Sequence, residues 1–186
     1  MKNAFTLLMV GMILGAVLLP GCSDKSTQMK IEQYAKSTIV KMGTDSIIVN
    51  AVKMQNAKNM SLDEIKLKDE QWQAAAGITD LMRSLMESEC GRHLRNIKSK
   101  APSYSEIIVM DDQGANVAIS DKTTDYWQGD EDKFTQSYNQ GHGGLHISES
   151  KWDESSQATI VQVSVPVKDG SNVIGALTIG LDVNQL

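Results

Sequence analysis

The protein is 186 residues long, carries 18 Lys and Arg against 23 Asp and Glu for a net charge of −5, and is 41% hydrophobic. That length suits one domain with a sizeable core, and an acidic balance without a dense basic patch excludes a nucleic-acid surface. Its two cysteines, Cys22 and Cys90, lie too far apart for a Cys-x-x-Cys-His sequence, which excludes covalent c-type haem.

Lys2 precedes an apolar run from Phe5 to Leu19, shorter than the roughly 20 residues a helix needs to cross hydrocarbon. The run ends at Leu19-Pro20-Gly21-Cys22, with a small residue directly before the cysteine, which is the layout of an export signal with a cleavage point. This ending resembles the lipobox of bacterial lipoproteins, although Pro20 stands where Ala or Ser is usual. The resemblance implies that residues 1–21 are removed and that Cys22 becomes the N-terminus, with a diacylglyceryl group on sulfur and usually a third chain on nitrogen. Two or three acyl chains hold a protein firmly where one binds marginally. Ser23, rather than Asp, follows the cysteine and favours the outer over the inner membrane. The expectation is therefore a protein on the periplasmic side of a bacterial membrane, anchored by lipid and not spanning it. With Cys22 acylated, Cys90 is the remaining thiol and no intramolecular disulfide forms. Cys90 sits among helical apolar positions and reads as buried and inert.

Residues 22–26 read as a short lipidated tether and 27–60 as a long N-terminal helix. Ile31, Tyr34, Ala35, Thr38 and Met42 form one stripe, continued by Ile48, Ala51 and Val52, with no proline to interrupt it. Ser61 and Glu64 have the spacing of a capping box, which predicts a helix from Leu62 towards Ala76. Gly77 ends that pattern, and Thr79-Asp80 restart it. Leu81, Met82, Leu85, Cys90, Leu94 and Ile97 then give a second amphipathic face that stops before Ala101-Pro102.

Beyond Pro102 the period changes from 3.6 to 2. Residues 106–110 predict a strand, Asp111-Asp112-Gln113-Gly114 a turn, and 116–120 the returning strand. Residues 121–143 form a polar loop with a helical turn near 131–138, and 144–148 a short strand. Val161, Val163, Val165 and Val167 alternate with polar residues, as do Leu177, Ile179, Leu181 and Val183 after the turn at Lys168-Asp169-Gly170. That alternation predicts an antiparallel hairpin with one face on a core. The fold class is α+β, with the long helix and further helices packed on a five-stranded antiparallel sheet.

The element order, together with residues 106–117, 124–131, 153–156, 163–167 and 173–176, resembles an extracellular sensor domain of the Cache type, also called PDC and PAS-like. The run from Asp125-Tyr126-Trp127-Gln128 to Glu131 is the most specific part of the likeness. The resemblance implies a single Cache/PDC domain over 61–186, the kind found in chemoreceptors and sensor kinases, with a small ligand bound on the sheet under the loop between the second and third strands. Such domains usually continue into a transmembrane helix and an output module. This chain ends at Leu186 directly after the last strand, so the signal is expected to pass through a membrane partner.

Ligand pockets are mostly apolar with a few placed polar groups, and the loop from Asp121 to Gly144 concentrates such groups. Asp125, Tyr126, Trp127, Gln128 and Lys133 are the first candidates for ligand binding. Asp125 could accept from an amine or hydroxyl, Lys133 could hold a carboxylate, and Trp127 could face an alkyl chain or a cation. The alternative is that Tyr126 and Trp127 pin the loop to the sheet while Asp125 caps a turn. Tyr138, His146, Trp152 and Asp153 form a second candidate set on the far side of the loop. His142 and His146 have an i, i+4 spacing that suits a metal only in a helix, and Gly143-Gly144 argue against one, so no metal or other cofactor is expected.

No Gly-x-Ser-x-Gly, His-Glu-x-x-His or phosphate-cradling glycine loop occurs, and the chain does not read as an enzyme. The leading expectation is a small-molecule sensor or binding lipoprotein that relays ligand state to a membrane sensor kinase, cyclase or chemoreceptor. Its ligand would be an amino acid, an amine or a short organic acid. The alternative is a ligand-independent interaction or scaffold protein of the cell envelope, with the first helix pairing with a partner or with a second copy as a homodimer.

Overall fold

A computed structural model of the protein describes residues 25–154 and 157–186. The export signal over 1–21, the acylation point Cys22 and the Ser155-Ser156 pair of the resemblance lie outside the described residues. The described chain is an antiparallel sheet with helices on both faces. No described helix is long and apolar enough to cross a membrane.

The chain is already helical at Lys25, inside the segment expected as a tether. Helix α1 (Lys25–Tyr34) passes through a π-helical turn at Ala35–Ile39 into a last turn, α2 (Val40–Met42). Ile31, Ala35 and Ile39 are buried along it, following the predicted stripe. The wider π turn takes an extra residue without breaking the helical run.

The predicted 27–60 helix is not continuous. It stops at Gly43 and restarts as α3 (Ser46–Asn56). A Cβ at Gly43 would collide with the Pro166 carbonyl, while the Gly43 carbonyl accepts the Lys168 amide at 2.8 Å. The backbone thus comes off the helix axis to touch the sheet. Asp45, extended at ψ 129°, then caps the new helix by accepting from the amides of Ile47 and Ile48 at 2.9 and 3.3 Å.

Helix α4 (Leu62–Gln73) begins with the predicted capping box. The Ser61 amide donates to Glu64 Oε2 at 2.8 Å and the Glu64 amide to Ser61 Oγ at 3.3 Å. The second amphipathic segment divides into α5 (Asp80–Glu87) and α6 (Glu89–Ser99), because Ser88 turns extended and its hydroxyl caps the Gly91 amide at 2.9 Å.

Strands β1 (Tyr104–Met110) and β2 (Asn116–Ile119) form the predicted hairpin, and α7 (Asp132–Tyr138) the predicted short helix. Next come β3 (His146–Ile147), β4 (Lys151–Asp153), β5 (Ala158–Asp169) and β6 (Asn172–Asp182). The sheet has six strands rather than five, since the segment before β5 folds back as β4. Its order is β2-β1-β6-β5-β3, with β4 also on β5 and every pairing antiparallel. The first and last strands therefore lie side by side at its centre.

The predicted apolar face packs as expected. Val161, Val163, Val165, Val167, Leu177, Ile179 and Leu181 form one core with Ile31, Ile39, Ile48, Val52 and Leu94 of the helices. The opposite face, read as polar, is covered as well. Ile108, Met110 and Ala176 pack there with Ile65, Trp72, Met82, Tyr126 and Phe134. Ser164 and Thr178 are wholly buried on that face and satisfy each other through hydroxyls 2.9 Å apart. Cross-strand pairing thus lets two polar residues sit under a second layer without an unmet hydrogen bond.

Candidate functional site

The second layer leaves a cleft of about 640 Å³ at one end of the sheet, within the size range of small-molecule sites. Its floor is Glu106 and Ile108 of β1 with Ile160 and Gln162 of β5. One wall comes from the loop after β2, through Thr123, Thr124, Gln128 and Lys133, and the other from Ser148, Glu149, Lys151 and Asp153.

The loop wall is built from sequence-local turns tied to distant elements. Asp69 of α4 accepts the amides of Tyr126 and Trp127 on one oxygen, at 2.7 and 3.1 Å. Trp72, one helical turn further on, donates its indole N–H to the Thr123 carbonyl at 2.9 Å and packs against the Tyr126 ring. Asn116 of β2 donates its backbone amide to the Tyr126 carbonyl at 2.9 Å and its side-chain nitrogen to the Asp125 carbonyl at 2.9 Å. The loop is thereby stitched between β2 and α4 and presents Gln128 inward.

Gln128 is buried and donates to the Asp125 carbonyl at 2.8 Å, while its own oxygen accepts from Lys133 Nζ at 2.9 Å. Lys133 also meets Glu131 at 3.0 Å. Its side chain is 10% exposed, so this ammonium is held in place at the cleft edge rather than waving in solvent. Asp121, on the rim, is paired with Lys98 at 2.6 Å.

Of the residues singled out from sequence, Gln128, Lys133 and Asp153 line this cleft. Tyr126, Trp127 and Asp125 lie elsewhere, for a physical reason. Tyr126 is buried in the second core, where burial above all, with the nearby Asp111 charge adding to it, pushes its phenol up to about 12. Trp127 donates its indole N–H to the Gln113 carbonyl at 2.8 Å and carries the Lys66 ammonium 5.0 Å from its ring centre. It borders a shallow groove beside α4 that Asp125 also lines. Both aromatics are tied to neighbouring elements by these contacts. Tyr138 stacks on Phe134 at 5.1 Å. His146 pairs opposite Ser164 on the cleft face of the sheet, two residues along β5 from Gln162.

His142 is exposed and bonds the Asn139 carbonyl at 3.0 Å. Among the described residues no group of three or more His, Cys, Asp or Glu is gathered to hold a metal. Cys90 is buried, and burial, with smaller contributions from Asp45 and Glu89, pushes its thiol up to about 12. That keeps it protonated and unreactive at neutral pH.

Glu106, Ile108, Ile160 and Gln162 went unrecognised as site residues in the sequence. Their signal was the phase of the strands: residues 106 and 108 share one face, as do 160, 162 and 164. Only the strand order shows that these faces are the same face.

No family model matches the chain, and no curated protein matches it. Solved structures to which the chain is similar include sensor and ligand-binding domains of histidine kinases and chemoreceptors. The sensor domain of the Vibrio cholerae histidine kinase DctB aligns at 12% identity and a TM-score of 0.41, over 86% of this chain and 57% of that one. The sensory domain of the Campylobacter jejuni chemoreceptor Tlp3, with isoleucine bound, aligns at 11% and 0.39, over 86% and 64%. The ligand-binding domain of the Pseudomonas aeruginosa amino acid chemoreceptor PctC, in complex with GABA, aligns at 11% and 0.37, over 81% and 61%. The chain spans less than two thirds of each of these domains.

Proposed function

We propose that the protein is a periplasmic small-molecule sensor, lipid-anchored through Cys22, that binds its ligand in the cleft between the sheet and the loop after β2. The observation that carries this reading is the cleft itself. Its walls come from separate parts of the chain, it has the volume of a metabolite site, and it mixes carboxylates with lysines over a floor containing Ile108 and Ile160. Such a surface suits a polar metabolite of the amino acid, amine or short organic acid type. Gln128, Lys133 and Asp153 serve as ligand contacts in this reading, and occupancy is passed to a membrane kinase, cyclase or chemoreceptor.

The test is thermal unfolding of the full chain in detergent against a library of amino acids, amines and organic acids, followed by calorimetry on any hit. A ligand at a hundred times its Kd stabilises the folded state by about 2.7 kcal/mol, which reads as a clear rise in Tm. A library in which no compound raises Tm ends the sensor reading. The second reading, an interaction protein, draws support from Met29 and Val40, which are 65% and 42% exposed on the first helical run. It expects a homodimer or a bound partner whether or not ligand is present, measured by analytical ultracentrifugation.

A further inference from the structure

Glu106 lies in a row that crosses three strands. It pairs opposite Gly180 of β6, and Gly180 pairs on its other side with Gln162 of β5. The central position of the row has no side chain. A Cβ placed on Gly180 would collide with Ser105 Oγ and lie 2.9 Å from Glu106 Cγ, so the serine hydroxyl and the stem of the glutamate share the space the glycine leaves. Across that gap Gln162 Nε2 donates to Glu106 Oε1 at 3.0 Å.

This bond orients the carboxylate without neutralising it. Two acids at the rim have cations, Asp121 paired with Lys98 and Glu131 with Lys133, while Glu149 on the other wall is exposed to solvent. Glu106 makes no ion pair among the described residues, although it is half-buried on the cleft floor. A partly buried carboxylate with only a neutral amide for a partner favours a cation close by. The absence of a gathered metal-ligand set among the described residues makes a protonated amine the better match, since an ammonium donates charge-assisted hydrogen bonds to a single carboxylate.

We propose that Glu106 is the specificity-determining residue of the cleft and that it selects ligands carrying a protonated amine, while short organic acids without one are excluded. The inference rests on the cleft being the ligand site of the sensor. The Gln162 bond and the glycine gap aim the carboxylate at the incoming head group, and the excluded class would place a second negative charge beside it.

The experiment titrates the full chain in detergent with three probe sets: aliphatic amines such as putrescine and ethanolamine, the standard amino acids, and organic acids such as acetate and succinate. Glu106→Gln keeps the shape and the neighbouring amide but removes the charge, and its circular dichroism and unliganded Tm report that the fold is intact. Every tight-binding probe is expected to carry an amine, and E106Q should weaken it at least about tenfold. Amines without a carboxylate and amino acids are told apart by which set binds. Tight binding of acetate or succinate, or an E106Q protein that binds amine probes as well as the parent, overturns the inference and leaves the sensor reading standing. If none of the probes binds the parent protein, both fail together.

Discussion

At the scale of single residues, Trp72 connects stability to the site. It is 2% exposed, packs on Tyr126 and holds the Thr123 carbonyl, which belongs to the cleft wall. Trp72→Ala removes a buried aromatic, for which about 3–5 kcal/mol of stability is expected to be lost, and frees the loop from α4. Urea unfolding should register the first effect and weaker probe binding the second. Trp72→Phe keeps a ring but not the indole N–H, so it should recover much of the stability while leaving the loop less well held. Residue identity alone left the roles in this region open. Asp125-Tyr126-Trp127 has the composition of a pocket wall, yet two of its members are spent on holding the loop. An aromatic with a hydrogen-bonding tip serves either purpose equally well, and only its neighbours decide which.

At the scale of elements, the junction between α2 and α3 links the N-terminal helical run to the sheet. Asp45 caps α3 with one oxygen and meets His93 Nε2 of α6 at 3.1 Å with the other. Asp45→Ala should lose about 1–2 kcal/mol, the value of a helix cap, in chemical denaturation. Asp45→Asn retains the accepting oxygen and should fall between the two. If D45A unfolds at the parent's denaturant midpoint, the junction is held by the Gly43 contact with β5 instead. The helical periods, the Ser61 capping box and the β5–β6 hairpin were all legible in the sequence, because each depends on residues a few positions apart. The interruptions at Gly43 and Ser88 were not legible as breaks. An apolar stripe runs on through a short kink, and the kink at Gly43 is imposed by a strand far away in the chain.

At the scale of the whole molecule, the proposed anchor at Cys22 and the cleft have separate tasks. An acyl anchor raises the effective concentration of the domain beside a membrane partner, whereas the cleft is lined by residues between 105 and 162, far along the chain from Cys22. Cys22→Ala should therefore move the protein from the membrane pellet to the soluble fraction and weaken its signalling, with probe affinity unchanged. A variant that stays in the pellet would show that the lipobox reading is wrong. Equal signalling from a released protein would show that anchoring is not needed.

The sequence by itself determined the α+β class, the hairpins and the apolar face of the β5–β6 pair. Periodicity and capping are local, and they state which side of an element must leave water. Only the tertiary structure decided that the other face is also covered, that a further short strand, β4, joins before β5, and that a cleft opens there. Glu106 and Gln162 stand 56 positions apart and belong to strands that never touch, since β6 lies between them. Their meeting over Gly180 depends on strand order and register, and those are set by the packing of the whole sheet against its helices rather than by any stretch of sequence.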